Sequence, residues 1–248
     1  MSKSEAGRYL LIGGGGDIGQ ALAARLQAGG HRVLLAGRDG ERLRQAGQRF
    51  DAAPIIFDAR DPSAVEAGVQ AAARRHDGLD GVVNLVGSIM LKAAHMTKDE
   101  EFEEVLRTNL FSAFGTVRGA AKVLRKTGGS VVLLSSAAAR VGLPNHESIS
   151  AAKAGVQGLA LSAAATYSRY GVRFNVVAPG LVETKLAESI TSNEMSRNAS
   201  LTMHPLQRLG TADDVASMID WLLQPSQSWV SGQIFGVDGG LSTLKVQK

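Results

Sequence analysis

Short apolar runs alternate with longer stretches of helical periodicity along the whole chain, and no other feature restricts the fold as much. Seven runs read as strands: Tyr9–Ile12, Arg32–Ala36, Ile55–Phe57, Gly81–Val86, Ser130–Leu134, Arg173–Ala178 and Gln233–Val237. Several are apolar throughout, as strands covered on both faces must be. Helical patterns lie between them, near Ile18–Ala28, Gly40–Phe50, Ser63–His76, Lys98–Leu124, Ile149–Tyr170 and Ala212–Leu223. Strand and helix in turn imply parallel strands joined by right-handed crossovers. The expectation is an α/β protein, a doubly wound parallel sheet of about seven strands with helices on both faces. No composition shift or linker divides the 248 residues, so they read as one domain, 1–248. Only 181–209 is long, polar and poorly periodic; such a segment inside a compact domain is usually functional or mobile.

Composition removes several classes of function. The absence of cysteine excludes a disulfide scaffold, a thiolate metal site and a cysteine nucleophile, and no metal is expected. A formal charge of +4 is a thin excess, no basic run exceeds two residues, and aromatics are 5%. Nucleic-acid binding would call for clustered Lys/Arg or stacking rings. No apolar run is long enough to cross a bilayer, and the polar first residues carry no signal-peptide pattern, so the expected setting is cytoplasmic. The 29 glycines exceed the usual ~7% and, with only six prolines, point to tight turns and close backbone approach.

The first strand runs into Gly13-Gly14-Gly15-Gly16-Asp17-Ile18-Gly19 and then into a helix. A strand, a glycine turn and a helix N-terminus form an anion site: free amides and the positive end of the helix dipole face the ligand, and missing side chains let it approach. Gly14, Gly16 and Gly19 satisfy G-x-G-x-x-G, here in the context that gives the pattern meaning. The second strand ends on Gly37-Arg38-Asp39. An acidic residue at the tip would take ribose hydroxyls and favour NAD. Arg38 instead suits a 2′-phosphate, which points to NADP, while Asp39 suits the N-cap of the next helix.

With the later segments added, the chain resembles the short-chain dehydrogenase/reductase family over nearly its whole length. The resemblance rests on the glycine turn, Asp58 after the third strand, Asn84-Leu85-Val86-Gly87, Thr108-Asn109-Leu110, Ser135-Ser136, Pro179-Gly180-Leu181-Val182-Glu183-Thr184, His204–Gly210 and Val237-Asp238-Gly239-Gly240. It implies a Rossmann-type sheet and a nicotinamide cofactor held by Gly13, Gly15, Gly16, Asp17, Ile18, Gly19, Arg38, Asp58, Ala59, Asn84, Gly87, Lys153, Pro179, Gly180, Val182 and Thr184. The substrate implied is a small carbonyl or alcohol. The resemblance further implies a homo-oligomer, a tetramer or a dimer, with the Lys98–Leu124 and Ile149–Tyr170 helices at one interface.

The departures bear on chemistry. Ile12 and Asp17 replace a threonine and a glycine of the family's glycine motif, and Leu85 replaces its second asparagine. Asp17 either caps the helix and turns aside or repels phosphate. The family's site is Ser, then Tyr-x-x-x-Lys. Ser136 and Lys153 match, and Asn109 matches the residue that holds a water relay but reads equally as a helix-kinking residue bonded to a buried carbonyl; Ile149 stands in the tyrosine position. His146 precedes Ile149 by three residues and would share a helix face with Ile149 and Lys153 if the helix reaches back to it. It reads either as a substitute acid or as a helix-entry residue bonded to backbone. Two functions follow: an NADP-dependent oxidoreductase with a modified acid/base site (Ser136, Lys153, Asn109, His146), or a non-catalytic dinucleotide-binding relative acting as a structural or regulatory subunit.

Overall fold

The computed structural model describes residues 6–48 and 53–245. All seven strands join one parallel sheet: β1 (Arg8–Ile12), β2 (Arg32–Gly37), β3 (Ile55–Ile56), β4 (Gly81–Asn84), β5 (Gly129–Leu134), β6 (Val172–Pro179) and β7 (Ile234–Val237), in the order β3-β2-β1-β4-β5-β6-β7. The doubly wound sheet expected from the alternation is therefore present. Successive strand residues point to opposite faces, and each face has its own apolar layer. Leu10 and Ile12 of β1, with Val82, Val131, Leu133, Phe174 and Val176, pack under α3 (Pro62–His76), α5 (Ser112–Leu124) and α6 (Glu147–Tyr167). Tyr9 and Leu11, with Val33, Leu35, Val83, Val132 and Val177, pack under α1 (Asp17–Ala28), α2 (Gly40–Gln48) and α9 (Ala212–Leu223). Burial on both sides explains why the strands read as apolar runs.

Several expected boundaries shift for local reasons. The strand expected over Gly81–Val86 stops at Asn84, whose Oδ1 accepts the Val86 amide at 2.8 Å and turns the chain. The long helix expected over Lys98–Leu124 is three pieces: α4 (Asp99–Leu106), a π-helical turn (Arg107–Phe111) and α5. The amide of Ser112 donates to Arg107 O, the widened spacing of a π turn, and Asn109 lies inside that turn. π turns inside helices frequently mark functional sites. The end of the helix expected over Gly40–Phe50 lies outside the described residues beyond Gln48. The segment 181–209 holds α7 (Glu188–Thr191) and α8 (Glu194–Met203), preceded by a 3₁₀ turn, Lys185–Ala187.

Helix starts differ in one way that matters. Asp61, Asn193 and Thr211 cap α3, α8 and α9 with side-chain oxygens. The cap residue of α1 is Gly16, which has no side chain to offer. That helix begins beside the β1/β4 junction, where the strand order reverses; open α/β sheets bind their ligands at such crevices.

Candidate active site

The glycine turn is pinned from below and open above. The amides of Gly13 and Gly14 both donate to Ala36 O, at 2.7 and 3.3 Å, and Gly16 N donates to Gly13 O at 3.1 Å. Gly13 has φ +81°, and a Cβ on Gly19 would lie 2.6 Å from Gly14 Cα, so both positions require glycine. Among the described residues, no protein group accepts from the amides of Gly15, Asp17, Ile18 or Gly19. Uncapped first-turn donors at the positive end of a helix fit an anion. Asp17 does not occupy them. Its Oδ2 accepts the backbone amide of Lys185 at 2.7 Å, so the carboxylate is turned aside, toward 181–209 rather than into its own helix.

At the tip of β2, Asp39 is the cap expected from sequence: its Oδ1 accepts the amides of Glu41 and Arg42. Arg38 is exposed and makes no hydrogen bond or salt bridge among the described residues, although its charge helps hold Asp58 below the usual carboxylate range. Arg42 was not anticipated. A Cβ on Gly15 would sit 3.5 Å from Arg42 Cγ, so this stem lies against the turn, and its guanidinium is also unpaired among the described residues. Among the described residues neither guanidinium is in a salt bridge, whereas Arg44 and Arg60 nearby are paired with Glu41 and Asp58. The three-residue step from an Asp N-cap is the signal that would have found Arg42. Asp58 itself is engaged: Arg60 donates to its Oδ1 and Oδ2, at 2.6 Å in the shortest contact, and this pairing is the main cause of its lowered pKa. Ala59 is buried in the core beneath it.

Lys153 and Asn109 meet below Gly87. A Cβ on Gly87 would be 3.2 Å from Asn109 Oδ1 and 3.3 Å from Lys153 Nζ. Lys153 is 5% exposed, and its Nζ donates to Leu134 O at 2.9 Å. No carboxylate faces it, and burial lowers its pKa to about 8. Asn109 is 1% exposed; its Nδ2 donates to Val105 O and Ser88 Oγ, both at 2.9 Å, and its Oδ1 accepts from Ser88 N. It is at once the residue that shapes the π turn and a neighbour of the buried amine. Asn84 is used differently from the sequence expectation. Its Nδ2 donates to Thr116 Oγ1 at 3.0 Å and its Oδ1 holds Val86 N, so the side chain fixes the turn that carries Gly87.

Ser136 stands at the end of β5 and its Oγ accepts the Ala138 amide at 3.2 Å, leaving its hydroxyl hydrogen for a ligand. Ser135 has a structural task, bonding to Lys153 O and Gln157 Nε2 at 2.9 Å. Ile149 is 5% exposed in a small apolar cluster with Val105 and Ala152, backed by Met90 and Leu106. The structure does not bring His146 onto the helix face of Ile149 and Lys153. α6 starts at Glu147; His146 is its cap residue with φ −108° and ψ 11°, and its Nδ1 lies 2.7 Å from Pro144 O. The sharp bend at Asn145, φ +63°, turns the ring back on the preceding loop. Of the two sequence readings, helix entry matches this geometry.

Pro179 pairs in register with Val237, and Gly180 N donates to Val237 O at 3.1 Å. Buried His204 locks the next residue: its Nε2 accepts the Leu181 amide at 3.2 Å, while Nδ1 lies 2.6 Å from Ser200 O. A Cβ on Gly180 would come within 2.5 Å of that ring. Val182 is buried and bridges Gly210, and Thr184 follows at the edge. The glycine turn, Arg38, Gly87 over Lys153, Ser136 and Gly180–Thr184 all follow the carboxyl ends of the parallel strands, and Arg42 lies against Gly15 of the turn. Free amides, unpaired cations and a buried amine in that order fit a dinucleotide.

Residues 15–242 match the family described as enoyl-(acyl carrier protein) reductase. The chain is 32% identical to levodione reductase of Leifsonia aquatica, over 94% of this chain and 93% of that one. It is 30% identical to the 3-oxoacyl-[acyl-carrier-protein] reductase MabA of Mycobacterium tuberculosis, over 94% and 91%. A short-chain type dehydrogenase/reductase from Mycobacterium ulcerans superimposes with a TM-score of 0.92 at 29% identity, covering 98% of this chain and 91% of that one. A variant of actinorhodin polyketide ketoreductase solved with NADPH gives 0.90 at 28%, covering 97% and 98%. The chain belongs to the short-chain dehydrogenase/reductase family. Among the described residues, no helix is long and apolar enough to cross a membrane, and no His/Asp/Glu group is arranged to hold a metal ion.

Proposed function

We propose that the protein is an NADP(H)-dependent oxidoreductase acting on a small carbonyl or alcohol, with its proton handled on the Lys153–Asn109 side of the site. The observation that carries this reading is the buried Lys153 amine beside Asn109 under Gly87. A bound nicotinamide dinucleotide supplies or receives the hydride. The protein's part is to hold both reactants and to manage charge and proton. The free amides at the start of α1 take phosphate, and Arg38 and Arg42 take a 2′-phosphate. The Ser136 hydroxyl donates to the substrate oxygen and stabilises charge that develops there. Lys153 binds ribose hydroxyls and, with its pKa brought down to about 8, holds or releases a proton at Nζ near neutral pH. His146 is left out because it is the cap residue before α6 and its Nδ1 lies 2.7 Å from Pro144 O on the preceding loop. A cytoplasmic setting and a homo-oligomeric assembly belong to the same proposal, supported by the family resemblance.

One observation favours the second reading, a non-catalytic relative: Ile149 is closed inside an apolar cluster where the family places its acid. A single experiment separates the two. NADPH oxidation is followed with a panel of small ketones and 3-oxoacyl thioesters, using the unmodified protein, Lys153→Ala and Ile149→Tyr. The oxidoreductase reading predicts measurable turnover, falling by about 10²-fold in Lys153→Ala and rising in Ile149→Tyr, where a phenol stands one turn from the amine. Its acid limb weakens as pH rises through about 8, because Lys153 then loses its proton. No turnover in the unmodified protein together with none in Ile149→Tyr, despite NADPH binding, supports the non-catalytic reading.

A further inference from the structure

We propose that Asp17 is a positioning residue, a latch that holds the tip of the 181–209 segment against the glycine turn and so orders the nicotinamide end of the cofactor crevice. The root of the segment is well fixed without it. Glu183 N donates to Gly210 O, Gly210 N donates to Leu181 O, both at 2.9 Å, and His204 holds Leu181. The tip is not. From 184 to 191 only Ala187 is buried, and beyond it Met195 is 83% exposed. Among the described residues, 184–203 make one hydrogen bond outside 181–210, and it is Lys185 N to Asp17 Oδ2 at 2.7 Å. Asp17 sits 168 positions away in the chain, so this bond joins the start of α1 to a segment that nothing else polar ties down.

The position of the carboxylate explains why an acid is tolerated beside a phosphate site. As the first residue of α1 it gains from the positive end of the helix dipole. Its bonded oxygen is drawn toward Lys185, away from the free amides of Gly15, Asp17, Ile18 and Gly19, which stay available to an anion. The latch therefore acts on the dinucleotide indirectly, by fixing Thr184 and Lys185 beside the turn. The role as a cofactor latch rests on the proposed dinucleotide binding; the latch itself, the bond from Lys185 N to Asp17 Oδ2, does not.

The test uses Asp17→Ala and Asp17→Asn in the full-length protein, since asparagine keeps an oxygen that can accept the Lys185 amide. Two quantities are measured: hydrogen exchange at the Lys185 amide, and calorimetric affinity for NADPH and for adenosine 2′,5′-bisphosphate, which lacks the nicotinamide half. Loss of one hydrogen bond to a charged acceptor corresponds to about tenfold or more in the local equilibrium. Exchange at Lys185 should accelerate by about that factor in Asp17→Ala, and NADPH should bind several-fold more weakly. The bisphosphate should bind as before. Asp17→Asn should keep the protection and bind NADPH at least as tightly as the unmodified protein. Unchanged protection of Lys185 in Asp17→Ala, or tighter NADPH binding by that variant, would overturn the proposal. If the unmodified protein binds no NADPH, the functional reading fails, and Lys185 exchange alone still decides the latch.

Discussion

Lys153 carries two opposed effects in one side chain. Its amine is almost free of solvent and meets a carbonyl, not a carboxylate, so the charged form is penalised and the pKa falls from 10.5 to about 8. The unfolded chain therefore holds more protons than the folded one between pH 8 and 10.5. Stability from this group is lowest below pH 8 and rises with pH across that window. A neutral side chain of similar length removes the penalty. Lys153→Met should raise the unfolding free energy at pH 7 by about 1–3 kcal/mol, with a smaller gain at pH 10, while lowering turnover by about 10²-fold, as in Lys153→Ala. Urea melts at the two pH values read this directly; a loss of stability at pH 7 would mean that the amine is well paid for by its surroundings. His146 teaches the opposite lesson. Spacing placed it on the face of Ile149 and Lys153, but spacing carries that meaning only inside a helix. Asn145 at φ +63° ends that periodicity one residue too soon.

At the scale of elements, the site is assembled by helix starts and strand ends. α1 starts uncapped, α2 starts on Asp39, and the π turn between α4 and α5 brings Asn109 to Lys153. Continuous apolar runs and glycine clusters made the strands and the turn legible from sequence, because each strand contributes to two apolar layers. The π turn was legible only in part: Asn109 reads as a residue that kinks its helix by bonding a buried carbonyl, and its Nδ2 does donate to Val105 O, but Arg107–Phe111 has ordinary helical composition and gives no sign of the wider turn. Asp17 was legible as a misfit but not in its outcome, because its partner is a backbone amide, which leaves no mark in the sequence. The cap at Asp39 sets up a prediction. It orients the first turn of α2 so that Arg42 lies on Gly15 while Arg38 stands at the strand tip. Each charge-assisted contact to phosphate is worth about 1.5–3 kcal/mol. Arg38→Ala and Arg42→Ala should each weaken NADPH by roughly ten- to a hundredfold, leave NADH within about twofold, and combine to remove the preference. Equal losses for both cofactors would place the two guanidinium groups elsewhere.

For the molecule as a whole, the strand order decides where chemistry can occur. Reversal between β1 and β4 opens one crevice at the carboxyl ends of the strands, and the glycine turn, Arg38, Ser136 and Gly180 follow those ends. The all-parallel sheet buries its strands between two helical layers. Asp17 lies at the edge of the crevice, bonded to Lys185, whereas Ile149 is closed in an apolar cluster with Val105 and Ala152. The central claim is that this crevice is built for a dinucleotide carrying a 2′-phosphate. The most direct measurement is a calorimetric titration of the unmodified protein with NADPH and, separately, with NADH. The account predicts saturable one-to-one binding of NADPH, tighter than NADH by at least about tenfold. Absence of binding by either nucleotide, or tighter binding of NADH, would contradict it.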